Sequence, residues 1–365
     1  MKVLIINQFG PGDASPTARL AKEMVEYFQS LGWQAEIACK LGNYRTRYRG
    51  MGRIFVEIWA LCLIFFRGFQ ARGISQIIVF SSPPLVLLVG VVLGKLKNVP
   101  VNHWILDAYP DVAEALGVLR SRIIIRILRQ MMKWGYRQAR INVAVDSSMR
   151  IRMQEEYRIE SRVISPWPPA LSTEDHSFWW QGVSQDHHVW LYSGNLGQAH
   201  EWEVLLKVQC ILEERGLPIS LVFQGGGVGY EQARLEVEHM GLKHVYFHDY
   251  LDEEKLVPSL TQSLLSVVTQ RKSVKGMLWP SKLALIQCLD REYLWIGPRL
   301  LVDDMNRYEK CHQYDPEDVM QIADWIVSRT EHKSIAEVDR SQVKDAIEYA
   351  RAVGLQSWKE VLTPS

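Results

Sequence analysis

The sequence predicts an α/β protein built from two doubly wound, Rossmann-like domains. Three observations carry that prediction. The chain has 365 residues, of which 47% are hydrophobic, enough for two packed domains. Along both halves, short apolar runs alternate with longer stretches of helical period, joined by turns rich in Gly, Pro, Ser and Asp. That is the pattern of strands wound with crossover helices. Between residues 166 and 187 the pattern lapses into Pro, Ser, Asp and His without helical period, which reads as a linker. The domains are then residues 1–165 and 188–350, with 351–365 as a last helical piece.

In the first half, Val3–Ile6 is the opening strand. Phe9–Ser15 is a glycine-rich loop holding Gly10, Pro11 and Gly12. Ser15 reads as an N-cap with Pro16 as the first helical residue. The helix runs through Leu20, Met24, Tyr27 and Phe28 to a stop near Gly32, and Gln34–Cys39 is the next strand. The loop lacks the G-x-G-x-x-G spacing of dinucleotide sites.

Arg45, Arg47, Arg49 and Arg53 precede an apolar stretch, Ile54–Phe66, and Arg67 and Arg72 follow it. It is short of the ~20 apolar residues a membrane-spanning helix takes. It suits either the headgroup region of an anionic membrane or a buried helix with solvated arginines at its ends.

Ile77–Phe80 is a strand, stopped by Pro83-Pro84 before an apolar helix over Leu85–Leu93. Val101–Leu106 is a strand ending in Asp107-Ala108-Tyr109-Pro110-Asp111, and the C-terminal ends of such strands are where α/β sheets hold ligands. Arg120–Arg140 is a second basic helix. Arg122, Arg126, Arg129, Lys133, Arg137 and Arg140 share one face, and Ile123, Ile124, Ile127, Leu128, Met131 and Met132 cover the other. Ile141–Val145 closes the sheet, and Asp146 or Ser147 caps the next helix.

The second half opens on Val189–Leu191, a buried strand, then Tyr192-Ser193-Gly194-Asn195-Leu196-Gly197-Gln198-Ala199-His200 and a helix from Glu201 to Arg215. Gly194 and Gly197 let backbone amides face a ligand, and the helix start adds the positive end of its dipole, a phosphate site in outline. An ordinary strand-to-helix turn reads the same way. Ile219–Phe223 is a strand leading to the loop Gln224–Gly229, with Gly226 at its centre. Val245–Phe247 and Leu264–Val268 are further strands. Arg271, Lys272, Lys275 and Lys282 then bring cations to a loop in which Pro280 and Ser281 open a helix. Tyr293–Ile296 is the next strand, Pro316–Arg329 and Ile335–Ala350 are helices, and Trp358 lies in a final short amphipathic piece.

Composition excludes several classes. Five scattered cysteines give no disulfide framework or zinc spacing. The start of the chain has too short an apolar core for a signal peptide and reads as a strand. The net charge of +1 conceals an asymmetry: residues 1–165 hold 23 Lys and Arg against 12 Asp and Glu, and the remainder 19 against 29. A basic half points to an anionic surface. Nucleic acid is disfavoured because no binding motif or interleaved aromatic platform accompanies the arginines.

Three motifs in matching order carry a family resemblance: Ser193–Gly197 with Ala199-His200, Asp107-x-x-Pro110-Asp111, and Gly276 ahead of Pro280-Ser281-Lys282. Gly297-Pro298 follows in register. Together they resemble family 4 retaining glycosyltransferases of the GT-B fold, in the branch that builds bacterial surface polysaccharides. The resemblance implies two Rossmann-like domains facing a central cleft. The first would be the acceptor and membrane side, the second the nucleotide-sugar donor side, with the C-terminal helix returning to the first. It implies transfer from a nucleotide diphosphate sugar, UDP-linked by preference, to a lipid-linked glycan, by a cytoplasmic enzyme peripheral to the membrane. No cofactor and no metal are expected.

On that pattern Asp107, His200 and Lys282 are the catalytic candidates. Gly194, Asn195, Gly197, Gly226, Arg271, Lys272, Pro280 and Ser281 would hold the donor, and Gly10, Pro11 and Gly12 border the acceptor. The sequence departs from the pattern at His200, where the family often has a lysine, and at Leu283–Ile286, which lacks the family's donor-helix glutamate. A nucleotide-sugar epimerase of the same fold and a non-catalytic subunit are the alternatives.

Overall fold

The computed structural model describes residues 1–13, 15–40, 51–170, 178–301, 310–331 and 339–363, the side chains of residues 51–54, 331 and 340 excepted. Arg45, Arg47 and Arg49, and the side chain of Arg53, therefore lie outside the described residues. The chain divides into two compact units. The first is Met1–Trp167 with Gly276–Trp279 and the chain from Arg351 on; the second is Pro168–Lys275 with Pro280–Ala350.

The first unit runs β1 (Lys2–Phe9), α1 (Pro16–Ser30), β2 (Gln34–Lys40), α2 (Met51–Gln70), β3 (Gln76–Phe80), α3 (Val86–Lys97), β4 (Val101–Ile105), α4 (Asp111–Ala115), α5 (Arg122–Gln138), β5 (Ile141–Ala144), α6 (Ser147–Arg152) and β6 (Arg162–Val163). Its strands form one six-stranded sheet in the order β2-β1-β3-β4-β5-β6, parallel throughout. β5 does not close the sheet, because β6 pairs beyond it through Val143 and Ala144. Ser15 caps α1 by accepting from the Ala18 amide, with Pro16 at the helix start.

One face of this sheet is covered by α1 and the C-terminal chain. There Trp104 stacks on Trp167 at 5.5 Å and meets Trp358 at 5.2 Å. Gly354 is required by that packing, since a Cβ would stand 2.2 Å from the Trp167 ring. The other face carries α2, α3 and α5 as one layer. Gly68 of α2 fits against Leu93, and Gly135 of α5 against Leu87 and Leu88.

The second unit runs β7 (His188–Asn195), α7 (Trp202–Glu214), β8 (Ile219–Gly226), α8 (Val228–Met240), β9 (Val245–His248), α9 (Glu253–Gln262), β10 (Leu265–Thr269), α10 (Leu283–Ile286), β11 (Tyr293–Ile296), β12 (Cys311–Tyr314) and α11 (Val319–Glu331). Its six-stranded sheet has the order β12-β11-β10-β7-β8-β9 and is again parallel. Alternate residues of β7 serve opposite cores, Trp190 and Tyr192 one and Val189 and Leu191 the other. This is the two-sided burial that parallel sheets require.

Three boundaries differ from the sequence reading. β8 continues through Gln224 to Gly226 because the glycines pair with Gly194 and Asn195 of β7. α10 starts at Leu283, so Ser281 sits in the preceding turn and does not open the helix. The C-terminal helix α12 (Arg340–Leu362) is continuous and includes Trp358, so no separate last piece exists. No described helix is long and apolar enough to cross a membrane.

Candidate active site

In the second unit the candidate donor site forms at the C-terminal ends of β7 and β10. Gly194 ends β7 with φ +117°, a conformation open mainly to glycine. Against it lies Lys282. A Cβ at Gly194 would stand 3.6 Å from Lys282 Nζ, and that Nζ lies 3.5 Å over the Tyr192 ring centroid. Nζ is buried and has no hydrogen-bond partner among the described residues. Burial alone pulls its pKa well down. An amine desolvated and unanswered by any described carboxylate is an uncompensated cost in the empty protein. An anion arriving at Gly194 would remove that cost and restore the ammonium.

His200 belongs to the same cluster, with its ring 5.6 Å from Tyr192 in an edge-on arrangement. Its Nδ1 is 2.6 Å from the Thr269 carbonyl oxygen. A carbonyl only accepts, so Nδ1 carries the hydrogen, and Nε2 of the neutral ring offers a lone pair. Burial first, and then the Lys282 charge, pull the imidazole down to about 3. His200 is thus neutral at pH 7, and the expected phosphate-binding cation at this position is replaced by an acceptor.

Two further expected cations are already engaged. Arg271 Nη2 is 2.7 Å from Glu203 and Nη1 3.3 Å from Glu201, and its Nε donates to the Gln198 carbonyl at 2.9 Å. It clamps the turn before α7. Lys272 sits 2.9 Å from both Asp315 and Glu317 at the surface. Neither presents an unpaired charge to Lys282.

The glycine run that ends β8 is consumed by the protein itself. A Cβ at Gly225, φ +146°, would stand 2.3 Å from the Gly194 carbonyl oxygen. The Gly226 carbonyl accepts from the Leu196 amide, so Gly226 supports the turn. Asn195 is exposed, and the Tyr192 hydroxyl donates to its carbonyl. Gly197 follows it in the same turn, and its carbonyl accepts from the His200 amide. Pro280 is buried and Ser281 exposed, two residues and one residue before Lys282.

In the first unit the candidate acceptor group is Asp107, just past β4. The Ser81 hydroxyl accepts from the Leu106 and Asp107 amides at 3.0 and 2.9 Å. Asp107 bridges Leu278, and the Ala108 amide donates to the Met277 carbonyl at 2.7 Å. Desolvation raises its carboxyl to about 6. Asp111, four residues on, has the opposite surroundings. It is buried with Arg129 Nε at 2.6 Å, Tyr157 Oη at 2.9 Å and Arg152 at 3.4 Å. Asp111 is a structural anchor, and Arg129 is thereby removed from the free basic face of α5. Gly10, Pro11 and Gly12 follow β1 at the same end of this sheet. A Cβ at Gly10 would stand 2.5 Å from Cys39 Sγ. Among the described residues no group of three His, Cys, Asp or Glu side chains converges as a metal site.

Sequence reasoning missed Tyr192 as the platform under Lys282. Its signal was present, since period-two alternation sets Tyr192 two residues before Gly194 on the strand. It also missed Ser81 and the carboxylate partners of Arg271, which come from distant parts of the chain.

No family model and no curated protein matches the chain. Solved structures match it over nearly its whole length. The sucrose-phosphate synthase of Thermosynechococcus elongatus aligns at 15% identity with a TM-score of 0.72, covering 98% of this chain and 97% of that one. Anabaena HepE, solved in complex with UDP, aligns at 11% identity and 0.64, covering 99% of each. The lipopolysaccharide outer core galactosyltransferase WaaB aligns at 11% and 0.61, covering 99% and 98%. At these identities the likeness is one of fold, the two-domain α/β architecture called GT-B.

Proposed function

We propose that the protein is a retaining glycosyltransferase that moves a sugar from a nucleotide diphosphate sugar to a lipid-linked glycan in surface-polysaccharide assembly, working at the inner face of the cell membrane. The observation that carries the donor half of this reading is Lys282 Nζ, buried against Gly194 without a hydrogen-bond partner among the described residues. A diphosphate is the ligand whose charge and oxygens answer that amine and the start of α7 together. UDP is the favoured nucleotide, because HepE, of like fold, was solved with UDP and with UDP-glucose.

In the reaction the bond from the anomeric carbon to the diphosphate oxygen breaks, and a bond to the acceptor oxygen forms on the same face. Negative charge grows on the leaving diphosphate, where Lys282 stabilises it. The acceptor hydroxyl loses its proton to the leaving phosphate or to Asp107. The Asp107 carboxyl, raised to about 6, is a better base than an ordinary aspartate and still ionised at neutral pH.

Calorimetry and thermal shift with UDP and a panel of UDP-sugars test the reading. A ligand at 100 times its Kd adds about 2.7 kcal/mol of stability. The Lys282→Ala protein is expected to lose that gain. A parent protein unmoved by every nucleoside diphosphate and nucleotide sugar would refute the donor site.

A further inference from the structure

Of the apolar residues that helical period assigns to the core side of α5, Ile123, Ile124, Ile127 and Met131 are exposed and Met132 alone is in the core. Ile125, Met132, Gly135 and Tyr136 face inward, while Ile123 is 73% and Ile127 54% exposed. α2 repeats the arrangement, with Phe55 at 72%, Trp59 at 69% and Phe66 at 57%, a stripe at helical spacing. α3 lies between them and adds Leu96, 59% exposed. The three helices form one layer on the sheet, so these side chains make one outward apolar face, larger than scattered surface residues explain.

Along α3 and α5 the face has a charged margin of one sign. Besides Arg129, which is anchored on Asp111, α5 carries Arg122, Arg126, Lys133 and Arg137 and no acid. Arg122 and Arg126 are exposed and make no ion pair among the described residues. Lys95 of α3 lies 4.8 Å over the Trp134 ring of α5, so a cation stands directly beside an exposed aromatic. Pairing this face with a second copy across a twofold axis would bring these cations towards each other. An anionic bilayer surface takes both features at once, the aromatic and aliphatic groups at the acyl boundary and the cations at the headgroups.

We infer that the first unit docks in the plane of an anionic membrane by inserting the outer face of α2, α3 and α5. The attachment is apolar at its centre and electrostatic at its margin. It differs from a purely arginine-driven, salt-reversible contact, and it draws on the glycosyltransferase reading only for what it says of where an acceptor would be met.

Co-sedimentation with vesicles of phosphatidylglycerol and phosphatidylcholine tests it on the full chain. The parent is expected to bind, and to keep most of its binding at about 1 M salt, where the Debye length is ~3 Å. Phe55→Ser, Trp59→Ser and Ile127→Ser combined should weaken binding at least tenfold, with the melting temperature preserved because all three positions are exposed. Arg122→Glu with Arg126→Glu should weaken it at low salt only.

A parent that stays in the supernatant overturns the inference. So does a triple variant that binds as the parent does, or a parent whose face is covered in a dimer that vesicles do not compete away. Transfer to a water-soluble acceptor glycan separates the two readings. Protein that transfers in solution yet ignores vesicles refutes docking alone, and protein that binds vesicles yet never turns over refutes the enzyme alone.

Discussion

Replacing Asp107 by asparagine is expected to stabilise the first unit at neutral and alkaline pH while removing turnover. The carboxyl is raised from 3.8 to about 6 by desolvation, with no cation opposing the effect. The folded state therefore holds this proton more tightly than the unfolded chain, whose aspartates titrate near ~3.9. The contribution to stability is fully present below about pH 4 and is lost as the pH rises through about 6. A shift of about two units corresponds to ~3 kcal/mol at most. The side chain keeps some solvent contact, so about 1–2 kcal/mol is the working figure after screening.

Asparagine keeps the shape and carries no charge, so Asp107→Asn should melt some 2–8 °C higher than the parent at pH 8, at about 2–4 °C per kcal/mol. The difference should vanish near pH 3.5. Turnover should fall about 100-fold or more if the carboxylate serves as base, while nucleoside diphosphate binding is spared. Scanning calorimetry across pH and isothermal titration with UDP are the assays. A variant less stable than the parent at pH 8 would show that the carboxylate is stabilised in the fold, and one that no longer binds nucleotide would sink the division between acceptor and donor groups.

Lys282→Ala should lower turnover about 100-fold or more; activity within a fewfold of the parent would remove Lys282 from the site. Because burial holds the Lys282 amine well below its usual range, UDP binding should take up protons, read as a heat that changes with buffer ionisation enthalpy at pH 8. A buffer-independent heat would mean that the amine does not meet the phosphates. The His200 ring, pulled down to about 3, should show no NMR titration between pH 8 and 5, whereas a midpoint near 6.5 would make it the cation first expected. Arg271→Ala should cost about 1 kcal/mol or more in urea unfolding through loss of the clamp on Glu201, Glu203 and Gln198, and Lys272→Ala should leave turnover within a fewfold. A large activity loss in a fully stable Lys272→Ala protein would restore Lys272 to the donor site.

What was legible in the sequence was local. Ser15-Pro16 announces a helix start because capping needs only the next three residues, and the Ser15 hydroxyl does accept from Ala18. The alternation of strand and helix was equally readable, since two-sided burial writes itself as apolar runs. The orientation of α5 was not. Its apolar period is satisfied by either face, and the close approach of Gly135 to Leu87 and Leu88 turned the other side inward. Arg271 looked like a free cation because its partners, Glu201 and Glu203, stand some seventy residues earlier in the chain. Lys282 could be picked out from Pro-Ser-Lys, but its burial over Tyr192 depends on how α10 packs against β7.

Ion pairing separates the groups that hold the fold from the two that the proposed reaction would use. Asp111 and Asp107 stand four residues apart in one motif, Asp111 buried and Asp107 half-buried. Arg129, Arg152 and Tyr157 converge on Asp111, whereas at Asp107 the described residues Ser81 and Leu278 meet the backbone. Arg271 and Lys282 make the same contrast in the second unit, the one clamped between two carboxylates and the other without a hydrogen-bond partner at Nζ among the described residues. Burying a charge without a partner lowers stability, and a methionine in place of Lys282 would fit the Tyr192 ring without that loss. Folding alone gives no reason for either group, and on the proposed function both answer ligands of opposite charge. The expected partners have opposite sign: a diphosphate for the amine, and for the carboxylate a hydroxyl that surrenders its proton.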